Sequence, residues 1–248
     1  MSALTRDPLV VVLTCDRPAA CYLAATIEQI DREGGRSLAR RIYVDGAADA
    51  LEPIHARLQG VQSAAEWGLR SLGAQGGSTE AMRRTLSDAA GEGRDVLFFE
   101  DDLLLCKNAV ERMISQQVPA QASLLTFFDM KEVAARSSFG LYFRPPTGAD
   151  HQGLWGCQCL RFPADVVSWL GAQNWQGTLF GSLKMSSDLI LGELLLRHPS
   201  RNQIAVHIPC LVEHVGESSA CFPGIGLPDW RRATNFPGQN FDARTLPR

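Results

Sequence analysis

A chain of 248 residues can bury a full core and fits one domain of the larger α/β kind. Its 24 basic and 27 acidic residues leave a formal net charge of −3, which excludes bulk attraction to nucleic acid or to an anionic membrane surface. The basic residues are scattered in short pairs such as Arg40-Arg41, Arg83-Arg84 and Arg231-Arg232, and no run approaches transmembrane length. The seven cysteines include no Cys-x-x-Cys pair. Cys157-x-Cys159 reads as two thiols on one face of a strand, so a reducing compartment is expected rather than a disulfide framework or a zinc site. The apolar stretch at residues 9–13 is too short for a signal peptide, and the expected location is cytoplasmic.

In chain order, Leu9-Val-Val-Val-Leu13 predicts a strand buried on both faces, ended by Thr14-Cys-Asp-Arg-Pro18. A helix over 19–33 stops at Gly34-Gly35. A second strand, Arg41-Ile-Tyr-Val-Asp45, stops at Gly46. Weakly patterned sequence around Trp67 leads to Gly76-Gly77-Ser78, and Ser78 reads as the N-cap of a helix to Ala90 with Ala81, Met82, Leu86 and Ala89 on its apolar side. A third strand follows Gly91 and Gly93. Strand, helix, strand, helix, strand is the signature of a parallel doubly wound half. Beyond it, strands are expected at 123–128, 140–144, 153–162 and 204–208, and helices at 163–170 and 187–196. Residues 216–248, rich in Pro, Gly and Asn, read as an irregular, partly flexible tail.

The most informative stretch is Asp95-Val-Leu-Phe-Phe-Glu-Asp-Asp-Leu-Leu-Leu105. A buried strand that delivers three consecutive carboxylates needs a counter-charge, because desolvating an unpaired carboxylate is very costly. A divalent metal supplies one, and hard oxygen ligands suit Mg²⁺ or Mn²⁺. The alternative is a strand end turning into solvent with Glu100, Asp101 and Asp102 simply hydrated. An open α/β sheet binds ligands outside the carboxyl ends of its strands, where Thr14, Asp16, Arg17 and Asp45 also fall. Asp45 is placed to accept hydrogen bonds from a ribose or a base, or is a turn aspartate before glycine. The amides at Ser78 could meet an anion with help from Arg83, or mark an ordinary helix start with exposed arginines. No Walker or Gly-x-Gly-x-x-Gly pattern is present. Asp188 opens an apolar helix, as a cap or as a general base. His214 is either held structurally or is a metal ligand beside the carboxylates.

Together these residues resemble the nucleotide-sugar glycosyltransferases of the GT-A fold, over residues 10–219. The resemblance implies a Rossmann-like α/β domain with a mixed, mostly parallel sheet flanked by helices. In it residues 8–105 form the nucleotide-binding half and 120–215 the acceptor half. Leu13-Thr-Cys-Asp-Arg-Pro18 looks like the first-strand loop at the nucleotide, Asp45 like the acid of the uridine site, and Gly77 to Arg84 like the helix beneath it. Phe99-Glu-Asp-Asp102 resembles the Asp-x-Asp motif in the Glu-Asp-Asp form of some inverting N-acetylglucosaminyltransferases. That match makes Asp102 a metal ligand, with Glu100 or Asp101 supporting ribose and sugar. Leu154-Trp-Gly156-Cys-Gln158 resembles a donor or acceptor loop, and Leu211-Val-Glu-His-Val-Gly216 makes His214 the second ligand. Ser187-Asp188 falls where the family places its catalytic base. The family usually has an acidic pair there, so Glu193 and Asp150 are alternatives.

The implied activity moves a hexosyl or N-acetylhexosaminyl group from a nucleoside-diphosphate sugar, such as a UDP-sugar, to an acceptor hydroxyl with inversion, using Mn²⁺ or Mg²⁺. The acceptor could be a glycan, a natural product or a protein, and the short chain points to a bacterial enzyme. Three rivals stand beside it: a retaining transferase of the same fold, a sugar nucleotidyltransferase, and a degenerate nucleotide-sugar-binding module. Trp155, Trp175 and Trp230 are candidates to stack on a sugar, or are packing residues.

Overall fold

Strand β1 (Leu9–Cys15) is apolar through its first five residues and so feeds both faces of a sheet: Leu9 and Val11 enter one buried layer, Val10 and Val12 the other. The computed structural model describes residues 7–16, 22–130, 139–147, 153–175, 187–216 and 232–247. Around β1 lie β2 (Arg40–Asp45), β3 (Gly68–Ser71) and β4 (Val96–Glu100), all parallel. Across β4 the sheet continues through β8 (Cys159–Phe162), β6 (Ala122–Thr126), β9 (Gln203–Ile208) and β7 (Gly140–Arg144), in the order β3-β2-β1-β4-β8-β6-β9-β7. Only β8 and β7 run against the rest, so this eight-stranded α/β sheet is mixed and mostly parallel, as expected. A two-stranded ribbon pairs β5 (Leu103–Leu105) with β10 (Val212–His214).

Helices cover both faces. On one face α1 (Leu23–Ile30), α2 (Leu51–Arg57) and α4 (Ala109–Ser115) pack Leu23, Ile27, Ile54, Val110 and Met113 against Val12, Ile42 and Phe99. On the other, α3 (Gly77–Ala90), α5 (Ala164–Gly171) and α6 (Ser187–Leu196) pack Met82, Leu86, Val166, Leu170 and Leu191 against Val11, Phe98 and Phe162. This is the three-layer, Rossmann-like arrangement that places ligands at the carboxyl edge of the sheet.

Four expectations are corrected. The expected helix over 19–33 is α1, followed by a wider turn at Asp31–Gly35 in which Gly34 takes φ +118°; residues 19–21 lie outside the described ones. The weak stretch around Trp67 holds α2 and β3, both too short and polar to show a period. The expected strand 153–162 is a strand only from Cys159, because Gly156 has φ +75° and its left-handed backbone cannot lie in a ladder. Ser78 is not the N-cap of α3: Gly76 occupies that position without a side-chain cap of its own.

Candidate active site

The ladder registers set Cys15 beside Asp45 and Leu13 beside Glu100, so β1, β2 and β4 end level at one edge. Glu100 closes β4, and its N–H donates to the Gln158 carbonyl at 2.9 Å, tying the loop before β8 to the acidic end. The chain turns through Asp101 and Asp102 into β5, and the antiparallel register places His214 across from Leu103. His214 Nε2 therefore lies 3.1 Å from Asp102 Oδ2, although the two residues are 112 positions apart. One ligand atom each from Glu100, Asp102 and His214 sit within 4.8 Å of one another. The Val215 N–H donates to the Asp102 carbonyl at 3.0 Å. At the next residue, a Cβ built on Gly216 would stand 2.2 Å from Asp102 Oδ2 and 3.2 Å from His214 Nε2. Only glycine leaves the pair intact. Two carboxylates and an imidazole converging beside that glycine are a donor set that fits a hard or borderline divalent cation such as Mg²⁺ or Mn²⁺.

Asp101 faces another task. Buried, it accepts a 2.5 Å hydrogen bond from Thr14 Oγ1 and so ties the β1 end to the acidic turn. Asp45 accepts from the N–H groups of Gly76 and Gly77, at 2.8 and 3.0 Å. It supplies from a distant strand the capping acceptor that the Ser78 hydroxyl was expected to provide, and its charge suits the positive end of the helix. Arg83 is directed to Glu80, which it grips through Nε and Nη2, and Arg84 joins from one residue on. The Arg83 guanidinium, with help from Arg84, holds the Glu80 carboxyl down to about 2 against the opposing effect of burial. Both cations are thus matched by a carboxylate of the same helix. Asp16 pairs with Arg57 at 2.6 Å. Arg17 lies outside the described residues.

Asp188 opens α6, and its Oδ2 accepts from the Gly156 N–H at 2.8 Å while Oδ1 accepts from its own helix at Leu189. The loop and the acid of the sequence reading are therefore in contact. The Cys157 thiol is pushed well above its ordinary value by burial, then by the charges of Asp188 and Glu100, with a hydrogen bond to Ser187 opposing. A single thiol thus senses the acid of α6 and the acid of β4. The Gln158 side chain folds over Gly156, where a Cβ would meet its Oε1 at 1.9 Å. Glu193 pairs loosely with Arg197, just past the end of α6, and Asp150 lies outside the described residues. Trp175 is buried and donates Nε1–H to the Leu170 carbonyl, a packing role; Trp230 lies outside the described residues.

Sequence reasoning missed the residues that support this edge: Thr26 and Gln29 of α1, and the steric role of Gly216. The available signal was two polar residues, at 26 and 29, among the core positions Leu23, Ile27 and Ile30. No helix among the described residues is long and apolar enough to cross a membrane.

No protein-family model matches the chain, and no curated protein does. Solved structures are similar in fold. The crystal structure of 4-diphosphocytidyl-2C-methyl-D-erythritol synthase from Anaerococcus prevotii DSM 20548 is 10% identical, over 83% of this chain and 91% of that chain, with a TM-score of 0.47. A second structure of a 4-diphosphocytidyl-2C-methyl-D-erythritol synthase is 15% identical, over 83% of this chain and 92% of that chain, with a TM-score of 0.44.

Proposed function

We propose that the protein is a metal-dependent glycosyltransferase that moves a sugar from a nucleoside-diphosphate sugar, a UDP-sugar in the first instance, to an acceptor hydroxyl with inversion. The observation that carries this reading is the convergence of Glu100, Asp102 and His214 at the carboxyl edge of the sheet. Those three residues would hold Mn²⁺ or Mg²⁺. A bound divalent ion supplies neutralisation of the charge that grows on a leaving diphosphate.

The remaining chemistry belongs to the chain. Thr14, Asp16 and Asp45 stand at the strand ends where a nucleoside would lie, and Asp101 fixes Thr14 there. Ser78 stands at the start of α3 beside that edge, and Arg83, further along the helix, would have to leave Glu80 to reach an anion there. The Gly156 N–H orients Asp188. Its carboxylate accepts the proton of the acceptor hydroxyl as that oxygen bonds to the anomeric carbon, opposite the breaking bond to the diphosphate. The sugar passes through an oxocarbenium-like state, as in glycoside hydrolysis.

Nucleotidyl transfer, which would join a nucleotide to a sugar phosphate, is the second reading; the names of the two similar structures belong to that class. Product analysis separates the two. With Mn²⁺ present, incubation with UDP-, GDP- and dTDP-sugars is expected to release a nucleoside diphosphate. Release of pyrophosphate from a nucleoside triphosphate and a sugar phosphate, with no such release from any nucleotide sugar, would replace the first reading by the second.

A further inference from the structure

The acidic turn sits between the β5–β10 ribbon and helix α1. Strand β5 pairs with β10 along one edge only, and its alternate N–H and C=O groups point to the opposite edge. There α1 stands in for a strand. Thr26, fully buried, donates its hydroxyl to the Asp101 carbonyl at 2.8 Å and accepts from the Leu103 N–H at 3.2 Å. Gln29, one turn further on, accepts from the Leu105 N–H at 3.0 Å and donates to the Leu103 carbonyl at 3.3 Å. A single hydroxyl thus holds the carbonyl just before Asp102 and the amide just after it. The Asp102 carbonyl itself is held from the far side by the Val215 N–H. The Thr26 hydroxyl also lies 3.3 Å from the Leu103 carbonyl, so every one of these hydroxyl contacts falls on Asp101-Asp102-Leu103.

We propose that Thr26 is a positioning residue for the cation site: its hydroxyl fixes the Asp101-Asp102-Leu103 backbone so that Asp102 Oδ2 meets His214 and Glu100. This rests on the reading of Glu100, Asp102 and His214 as metal ligands. A threonine at a buried helix position would otherwise expose a polar group to an apolar layer, and here both of its hydrogen-bonding functions are used on the acidic turn. Outer-shell partners that orient a ligand typically change metal affinity by roughly 10- to 100-fold when removed. Gln29 holds the Leu103 carbonyl and the Leu105 N–H, one and three residues beyond Asp102, and serves β5 as an edge.

The test is a Mn²⁺ titration followed by electron paramagnetic resonance, on the whole chain, with folding checked by thermal melting. Wild type is expected to bind Mn²⁺ and Asp102→Ala to lose it; if wild type binds none, or Asp102→Ala binds as well as wild type, the ligand reading itself fails. With that reading standing, Thr26→Val, which keeps the shape and removes the hydroxyl, is expected to bind roughly 10- to 100-fold more weakly. Thr26→Ser is expected to restore affinity to within about threefold, and Gln29→Leu to lower the melting temperature while leaving affinity within about threefold. Thr26→Val binding like wild type would overturn the positioning role, as would equal weakening by Gln29→Leu, which would mark a general loss of structure. Should Thr26→Val not fold, amide hydrogen exchange on wild type decides: a protected Leu103 N–H is expected, and exchange at the rate of an exposed amide would overturn the proposal.

Discussion

At the scale of single residues, the site depends on one absent side chain as much as on those present. Gly216→Ala would drive a methyl group to 2.2 Å from Asp102 Oδ2. The displacement of Asp102 is expected to weaken Mn²⁺ binding by roughly 10- to 100-fold with little change in folded content, measured by metal titration beside circular dichroism. Asp188 gives a different signature. Asp188→Asn keeps an acceptor for the Gly156 N–H but cannot take a proton. Under the proposed function kcat is expected to fall roughly 10²- to 10⁴-fold while the donor KM stays close to wild type. A variant that lost donor binding and kcat together would reassign Asp188 to holding the loop. The pairing of Asp102 with His214 was legible from motif order, because an acid at a strand end and a late histidine are informative residue types. The role of Gly216 was not, since a glycine in sequence carries no record of what stands where its Cβ would be.

At the scale of elements, α3 shows how a cap can come from elsewhere. Its first amides are met by Asp45, 31 and 32 positions earlier, so helix start and strand end stabilise each other. Asp45→Ala is expected to destabilise the fold by about 1 kcal/mol, read as a lower urea midpoint, and Asp45→Asn by less because one acceptor remains. The elements buried on both faces, β1 and β4, were legible as unbroken apolar runs, and α3 as a helical stripe. By contrast β3 alternates exposed with half-buried residues at a sheet edge, and α2 buries little besides Ile54, so neither carries a readable period. The three leucines of β5 were given no element of their own in the sequence reading. They form a separate ribbon because the turn at Asp101 and Asp102 redirects the chain, and what holds that turn is Thr26, 75 residues away from Asp101. Contacts of that range leave no period to read, only two polar residues, at 26 and 29, among core positions.

At the scale of the whole molecule, the buried histidine of β9 sets a dependence of stability on pH. Burial, chiefly, pushes the His207 imidazole down to about 4; the Arg112 charge adds to this and the hydrogen bond with the Pro209 carbonyl opposes it. In the unfolded chain the ring titrates near 6.5. Above that pH neither state carries the extra proton and the full stability is present. As the pH falls from 6.5 towards 4, the unfolded chain binds a proton that the folded chain refuses, and stability is lost. His207→Gln removes this linkage, and chemical denaturation across that window is expected to show a pH profile flatter by about 3 kcal/mol. The overall architecture was legible because alternating strands and helices admit few topologies; the reversed strands β7 and β8 were not, since direction is not written in an apolar run. The central claim, a metal-bridged nucleotide site at the carboxyl edge, is met most directly by calorimetric titration with UDP. Binding is expected in the presence of Mn²⁺, with loss both in EDTA and in Asp102→Ala; UDP affinity unchanged by either would contradict it.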